Sequence, residues 1–499
     1  MSSILRTRFG AALAGVVLAG VAILAELVVF VPSGRAAPIT FDDHVEYSTG
    51  PRPRMLTVAD LNGDGRPDVA TGNSSLNGHE VSVLLNLGDG TFGTATQYST
   101  VEASRSPAAG DIDGDGDRDL AVSLQSGEFR LAILLNDGQG HFGPPELLAP
   151  LGGGGVPHGP AVLDLDGDED RDIVFAQAGG DEVVVLMNQG DGSFATHVTY
   201  GGVSDAYFVH LSVGDVDADD DPDVVIGRSL SGIPPSLYRN RGDGTFDPPQ
   251  PIPVENVFKY AGNDLGDLDG DGDLDLVFVS ESGHRVLALR NDGSGMFSPL
   301  GTFPSGVETQ FGGGVTLADL DGDQLADAII PGANTYRIAT LRSAGAAGFE
   351  EPVFHPLGGL ATDVAAGDLD GDRDLDLVSG LPHQNQVSVL INQSETTAVG
   401  AGLEPGNAPS LGPALGNPAG RFGTSIPFVL AEPAQVLISV RDVAGRQVRS
   451  LFGGERPAGR QVVIWDGRSD GGARVAAGVY LIELNAGGWR RTARVVVVP

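Results

Sequence analysis

The chain of 499 residues has no cysteine, two tryptophans and one lysine, Lys259. Without cysteine there is no disulfide, no thiolate nucleophile and no Cys-type zinc site. Bases are scarce as well. Thirty Lys and Arg stand against 66 Asp and Glu, a formal charge of −36. That balance excludes electrostatic binding of nucleic acid and favours cations. The nine His include no H-E-x-x-H and no close pair, so they read as surface residues. His158 is the exception to watch, because Gly152-Gly153-Gly154-Gly155 before it can shape the edge of a binding face. Sustained 3.6-residue periodicity is missing from the central region, which argues against helices there. What is plentiful is Gly (74) and Pro (32), without the three-residue period of collagen. Many tight turns between short strands follow. With 41% hydrophobic residues, a chain of this length can bury the cores of two to four domains.

Arg6 and Arg8 precede an apolar stretch from Phe9 to Val31, interrupted only by Glu26. Gly34-Arg35-Ala36 then offers small residues where a signal peptidase reads. Residues 1–36 are read as a secretory signal, to be set apart from the fold. The alternative is an uncleaved anchor, since a span needs about 20 residues. Glu26 argues against it, because a mid-bilayer carboxylate costs a few kcal/mol. Either reading puts the rest of the chain outside the cytoplasm.

A repeat dominates residues 38–394. Asp-rich loops begin at Asp60, Asp111, Asp164, Asp215, Asp267, Asp319 and Asp368, at intervals of 51, 53, 51, 52, 52 and 49 residues. Each is followed by two apolar runs and, except in the last copy, a turn ending in an aromatic, such as Gly88-Asp89-Gly90-Thr91-Phe92. Asp-Gly between two such runs is a hairpin signal. About 52 residues hold four short strands, one blade of a β-propeller. The last repeat ends at Val387-Ser388-Val389-Leu390-Ile391-Asn392, without its final turn and strand. Thr40-Phe41 through Tyr47-Ser48-Thr49-Gly50 resembles the missing piece. A shared last blade would close a ring of seven and remove its open edges; a linear array is the alternative.

Numbering each loop from its first Asp, side-chain oxygens fall at positions 1, 3, 5 and 9 in every copy. They are Asp60, Asn62, Asp64 and Asp68; Asp111, Asp113, Asp115 and Asp119; Asp164, Asp166, Asp168 and Asp172. Next come Asp215, Asp217, Asp219 and Asp223, then Asp267, Asp269, Asp271 and Asp275. The last two sets are Asp319, Asp321, Asp323 and Asp327, and Asp368, Asp370, Asp372 and Asp376. Such a loop wraps a hard cation, and calcium, with six to eight oxygens in loose geometry, suits it better than magnesium. The seven loops hold 34 acids and four Arg, −30 of the total −36. Carboxylates packed so closely repel one another unless cations fill the loops, so up to seven structural Ca2+ are expected. These are not EF-hands, which need a bidentate Glu at position 12. The fourth loop lacks both glycines, with Ala218 at position 4, where the other six carry Gly, and Asp220 at position 6, where three carry Gly, and is expected to be the weakest.

The pattern Gly367-Asp368-Leu369-Asp370-Gly371-Asp372, followed by Asp376-Leu377-Val378 and alternating with Asn-x-Gly-Asp-Gly-Thr-Phe, resembles the FG-GAP/VCBS repeat family. The resemblance implies a seven-bladed propeller with calcium loops, as in the integrin α-subunit head. It also implies roles in adhesion and in binding glycan or protein.

Residues 395–417 are rich in Gly, Pro and Ala and read as a linker. Beyond them the charge reverses: residues 418–499 carry 11 Arg and 6 acids. Runs such as Val436–Val440, Val462–Trp465, Val479–Leu484 and Val495–Val498 suggest a small Ig-like sandwich. Asn417-Pro418, Asp442-x-x-Gly445-Arg446, Trp465-Asp466-Gly467 and Gly478-Val479-Tyr480 resemble the Ig-like domain of the flagellar hook-capping protein FlgD and the sorting domain of type IX secreted proteins. The second resemblance implies cell-surface or outer-membrane attachment, although the tail ends in Pro499 rather than in basic residues.

Catalytic motifs dissolve on inspection. Gly467-Arg468-Ser469-Asp470-Gly471 fits the G-x-S-x-G elbow, but strands flank it where the elbow needs a helix. Gly88-x-Gly90-x-x-Gly93 and Gly138-x-Gly140-x-x-Gly143 lack the helix a dinucleotide fingerprint opens. Tyr207 and Phe208 are candidates for stacking on sugars, with core packing as the alternative. The expected protein is all-β: a propeller followed by a small sandwich, exported, non-enzymatic, binding an extracellular glycan or protein. The alternatives are an exported polysaccharide-active enzyme and a passive envelope component.

Overall fold

The computed structural model describes residues 39–497, apart from 75–78, 126–130, 149–155, 179–181, 195–196, 202–208, 229–233, 255–258, 282, 310–313, 395–409, 412–414, 421–422, 431–432, 444, 457–458, 466, 472 and 477. The expected signal, Gly152–Gly155, Tyr207 and Phe208 lie outside the described residues. Among those described, regular structure is β apart from one 3-10 turn, Gly345–Ala347.

The repeat region forms seven four-stranded antiparallel sheets among the described residues. Sheet 1 runs Pro53–Ala59, Asp68–Asn73, Glu80–Leu84 and Thr96–Ser99. Sheets 2 to 7 begin with Ser104–Gly110, Val156–Leu163, Val209–Gly214, Tyr260–Gly266, Thr316–Ala318 and Val364–Gly367. Each first strand packs against the next, and Val364–Gly367 packs against Pro53–Ala59, so the sheets close a ring. This is a β-propeller. Second strands such as Asp119–Leu124 are buried throughout, which is why they read as unbroken apolar runs. Fourth strands lie outermost and are more exposed, as in Thr96–Ser99, which is polar, and Val353–Pro356, which exposes Val353 and Phe354.

Sheet 7 takes its fourth strand from the other end of the chain. Val45–Ser48 pairs with Gln386–Leu390, from Val45 opposite Val389 to Ser48 opposite Gln386. Phe41 bridges Asn392 as Phe92 bridges Asn86 within sheet 1. His355 lies edge-on to Phe41 at 4.8 Å, and its Nε2 is 2.8 Å from the Thr340 hydroxyl. It is buried, not the surface residue expected of the chain's histidines; His158, singled out as an exception at the edge of a binding face, is buried too.

The C-terminal sheets start earlier than the expected boundary at 418. Ser410–Leu411 already pairs with Gly423–Leu430, and Leu415–Gly420 runs parallel to Trp489–Val497. Of the expected linker, residues 395–409 and 412–414 lie outside the described residues, and the rest is strand. Ala434–Asp442 lies between Gln447–Arg456 and Gly478–Ala486. Trp465 is fully buried against Phe428, Ile438 and Ile482, and its Nε1 donates to the Arg468 carbonyl at 2.9 Å. The G-x-S-x-G segment is a tight turn, with the Ser469 amide donating to the Ala473 carbonyl at 2.9 Å.

Candidate metal centres

Each Asp loop joins the first strand of a sheet to the second, and position 9 is the first residue of that second strand. Its carboxylate is buried and holds the loop's frame. One oxygen accepts the position-2 amide, as in Leu61 to Asp68 at 2.9 Å and Ile112 to Asp119 at 2.8 Å, and likewise in the other five loops. The other oxygen accepts the amide of Asn86, Asn136, Asn188, Asn240, Asn291, Ser343 or Asn392, at the end of the third strand. Position 9 was expected purely as a ligand; its first role is to anchor backbone.

Those seven residues carry a link that sequence reading missed. The Asn136 side-chain amide donates to the Leu61 carbonyl of the preceding sheet's loop at 2.7 Å. Asn188, Asn240, Asn291, the Ser343 hydroxyl and Asn392 repeat this one sheet further on each time. Asn86 completes the circle by donating to Leu369 of sheet 7 at 2.8 Å. The signal was visible as Asn, once Ser, at a fixed place after each loop.

Within the loop, the position-6 amide donates to the position-1 carboxylate in the first six copies, at 2.8–3.1 Å. The position-7 amide donates to position 5 in all seven, at 2.9–3.1 Å. The chain so curls around its carboxylates. One oxygen each of Asp111, Asp113 and Asp115 lies within 4.8 Å of the others. The same holds for Asp164, Asp166 and Asp172; Asp215, Asp217 and Asp223; Asp267, Asp269 and Asp271; and Asp319, Asp321 and Asp327. In these five loops the structure thus brings positions 1 and 3 together with either 5 or 9. Oδ1 atoms of Asp111, Asp217 and Asp269 are buried without a hydrogen-bond donor. Hard oxygens gathered this way, some with no donor, fit Ca2+.

Electrostatics show the strain of gathering them. Burial first, then neighbouring carboxylates, raises position 9 against the pull of its backbone hydrogen bonds. Asp68, Asp119, Asp172 and Asp275 rise to about 6, Asp223 and Asp376 to about 7, and Asp327 to about 8.

The loops are unequal. The residue before the linking Asn or Ser is Leu85, Leu135, Met187 or Ile391 in sheets 1, 2, 3 and 7, but Arg239, Arg290 or Arg342 in sheets 4, 5 and 6. Each Arg reaches position 3 of its own loop. Arg239 pairs with Asp217, Arg290 with Asp269 at 3.1 Å, and Arg342 with Asp321 at 2.5 Å and Asp323 at 3.3 Å. A guanidinium there already supplies positive charge to the carboxylate.

An FG-GAP-like repeat model matches residues 60–122, 164–226, 230–278, 267–330 and 319–379, and a FlgD Ig-like domain model matches 419–488. No curated protein sequence matches the chain. Among solved structures, BBS1N, crystallised in complex with ARL6DN, is 11% identical with a TM-score of 0.50, covering 72% of this chain and 98% of that one. An Agrocybe aegerita lectin studied for recognition of non-reducing terminal N-acetylglucosamine is 18% identical with a TM-score of 0.47, covering 72% and 97%. PorZ, a surface component of the type IX secretion system of Porphyromonas gingivalis, is 14% identical with a TM-score of 0.42, covering 87% and 58%. These likenesses concern the fold. The repeat matches together span more than half of the sequence, and the chain belongs to the FG-GAP-like repeat family, as a β-propeller followed by a FlgD Ig-like domain.

Proposed function

We propose that the protein is an exported, calcium-binding propeller that acts without catalysis, as an adhesion or ligand-binding module for an extracellular glycan or protein. The observation that carries the reading is the gathering of carboxylates in loops whose frame is tied to the neighbouring sheet. A cation held there fastens one sheet to the next, which is a structural task and leaves the ring free to present ligand-binding surface. Positions 1, 3 and 5 would hold Ca2+, with position 9 reinforcing them. Affinity follows ligand charge. Loops 2, 3 and 7 therefore fill first; loop 1, with neutral Asn62 at position 3 and Arg66 3.6 Å from Asp64, and the Arg-paired loops 4, 5 and 6 fill last.

The test is a glycan and matrix-protein array probed with the exported chain in millimolar calcium and again in EGTA. Calcium-dependent binding to one ligand class is expected. Silence in both buffers from a folded sample would remove the adhesion reading, and product release from a polysaccharide panel would replace it with the enzyme. The metal is checked separately by counting bound Ca2+ and by melting in EGTA, where a large loss of Tm is expected. In Arg342→Leu, the sixth loop should bind more tightly; unchanged affinity would show that the guanidinium does not govern it.

A further inference from the structure

Two arginines near the start of the first strands of sheets 1 and 2 have no acidic partner among the described residues. Arg54 and Arg105 each stand six residues before the first Asp of their loop, so they share a register on neighbouring strands. Both sit where pairing with the second strand is interrupted, between Pro53 and Met55 and between Ser104 and Pro107. Such bulges re-aim side chains and recur beside functional sites. Arg105 is only 6% exposed. Among the described residues, neither guanidinium donates a hydrogen bond or enters an ion pair. The charges acting on them are positive: Arg54 on Arg105, and Arg52 on Arg54. Burial, and then Arg54, pushes Arg105 down to about 10.

This is an anomaly in a chain with 66 acids and 30 bases. A buried charge is ordinarily paired, because desolvation without a partner is expensive. A planar guanidinium matches carboxylate, sulfate or phosphate through two parallel N–H donors. The strand Pro53–Ala59 leads from this pair to Asp60, so the arginines lie at the far end of the strand from the Asp loops. An anion there would not compete with a cation in the loops.

We infer that Arg54 and Arg105 form an oxyanion site at the end of the ring opposite the Asp loops, taking a carboxylate or sulfate group. The inference deepens the ligand-binding reading by naming a chemistry the ligand carries, and it does not depend on calcium.

The test is isothermal titration of the full exported chain, calcium held constant, with inorganic sulfate and with a sulfated, uronic-acid-containing tetrasaccharide. Saturable binding is expected, weakened at least tenfold in Arg105→Met and in Arg54→Met. Arg105→Met should also melt higher than the parent in sulfate-free buffer, since it removes an unpaired buried charge; that readout shows the variant folds. A tetrasaccharide bound more tightly than sulfate assigns the anion to a saccharide, and equal affinities assign it to a free ion. No saturable binding by the parent, or binding unchanged in both variants, overturns the site. An array silent for every ligand while sulfate still binds would remove the adhesion reading and leave this site standing.

Discussion

At position 6 of the Asp loops the backbone is left-handed whatever residue stands there. Gly65 has φ 84° and Gly116 99°, but Glu169 has 78°, Asp220 71°, Gln324 72° and Arg373 82°. Position 4 behaves alike, with Ala218 at φ 61° among glycines. The loop's hydrogen bonds dictate the turn, and the side chain tolerates it. For a residue with a Cβ that conformation costs roughly 1–2 kcal/mol, partly offset because glycine loses more freedom on folding. Ala218→Gly is therefore expected to stabilise the protein by about 1 kcal/mol. Urea unfolding in EGTA measures this without calcium linkage. A loss of stability would mean that the alanine packs usefully, contrary to the backbone argument. The fourth loop thus combines two strained positions with a guanidinium on Asp217, which gives its expected weakness a second cause.

At the scale of the loop and its strands, the seven position-9 carboxylates contribute most of the pH response, alongside Asp264 and Asp321, raised by burial to about 6, and Asp363, raised to about 7. Their folded values, about 6 to 8, lie above the ordinary 3.8. The folded state therefore binds these protons more tightly than the unfolded state. The stabilisation from protonation is complete below about pH 4 and is lost as pH rises through 6 to 8. Without metal, Tm should fall between pH 5 and pH 8. With calcium the slope should flatten or reverse, because metal binding needs the carboxylates deprotonated. Identical slopes in EGTA and in calcium would show that these groups and the metal are not linked. The loops were legible in sequence because oxygens at 1, 3, 5 and 9 recur in register. The framing role of position 9 was not, because a ligand and an amide acceptor both call for Asp. The linking Asn was hidden by distance: Asn136 reaches a carbonyl 75 residues away. Arg342 pairs with a carboxylate 21 residues earlier, and nothing in its own strand announces that. Arg54 and Arg105 belong to no motif, and only burial sets them apart. The strand Ser410–Leu411 was concealed by a composition that reads as linker.

For the whole molecule, closure is the decisive event. Sheet 7 lacks an outer strand until Val45–Ser48 arrives, and the Thr40 amide then donates to the Ser394 hydroxyl at 3.2 Å. Removing residues 39–50 leaves Gln386–Leu390 as a bare edge, and bare edges pair with other chains. The truncated protein is expected to lose its cooperative unfolding transition and to associate, with a synthetic peptide of residues 39–50 restoring a single species in size-exclusion chromatography. A truncated protein that stays monomeric and melts as the parent does would show that the ring closes without that strand. The same feature also sets a clock. Thr40 and Ser394 are 354 residues apart in the chain. At about 5–20 residues per second, the first strand waits roughly 20–70 s for its partner to be synthesised. The fold thus stays incomplete until synthesis has passed Ser394, and an unfinished ring is the form a chain needs if it is to be threaded through a narrow export pore.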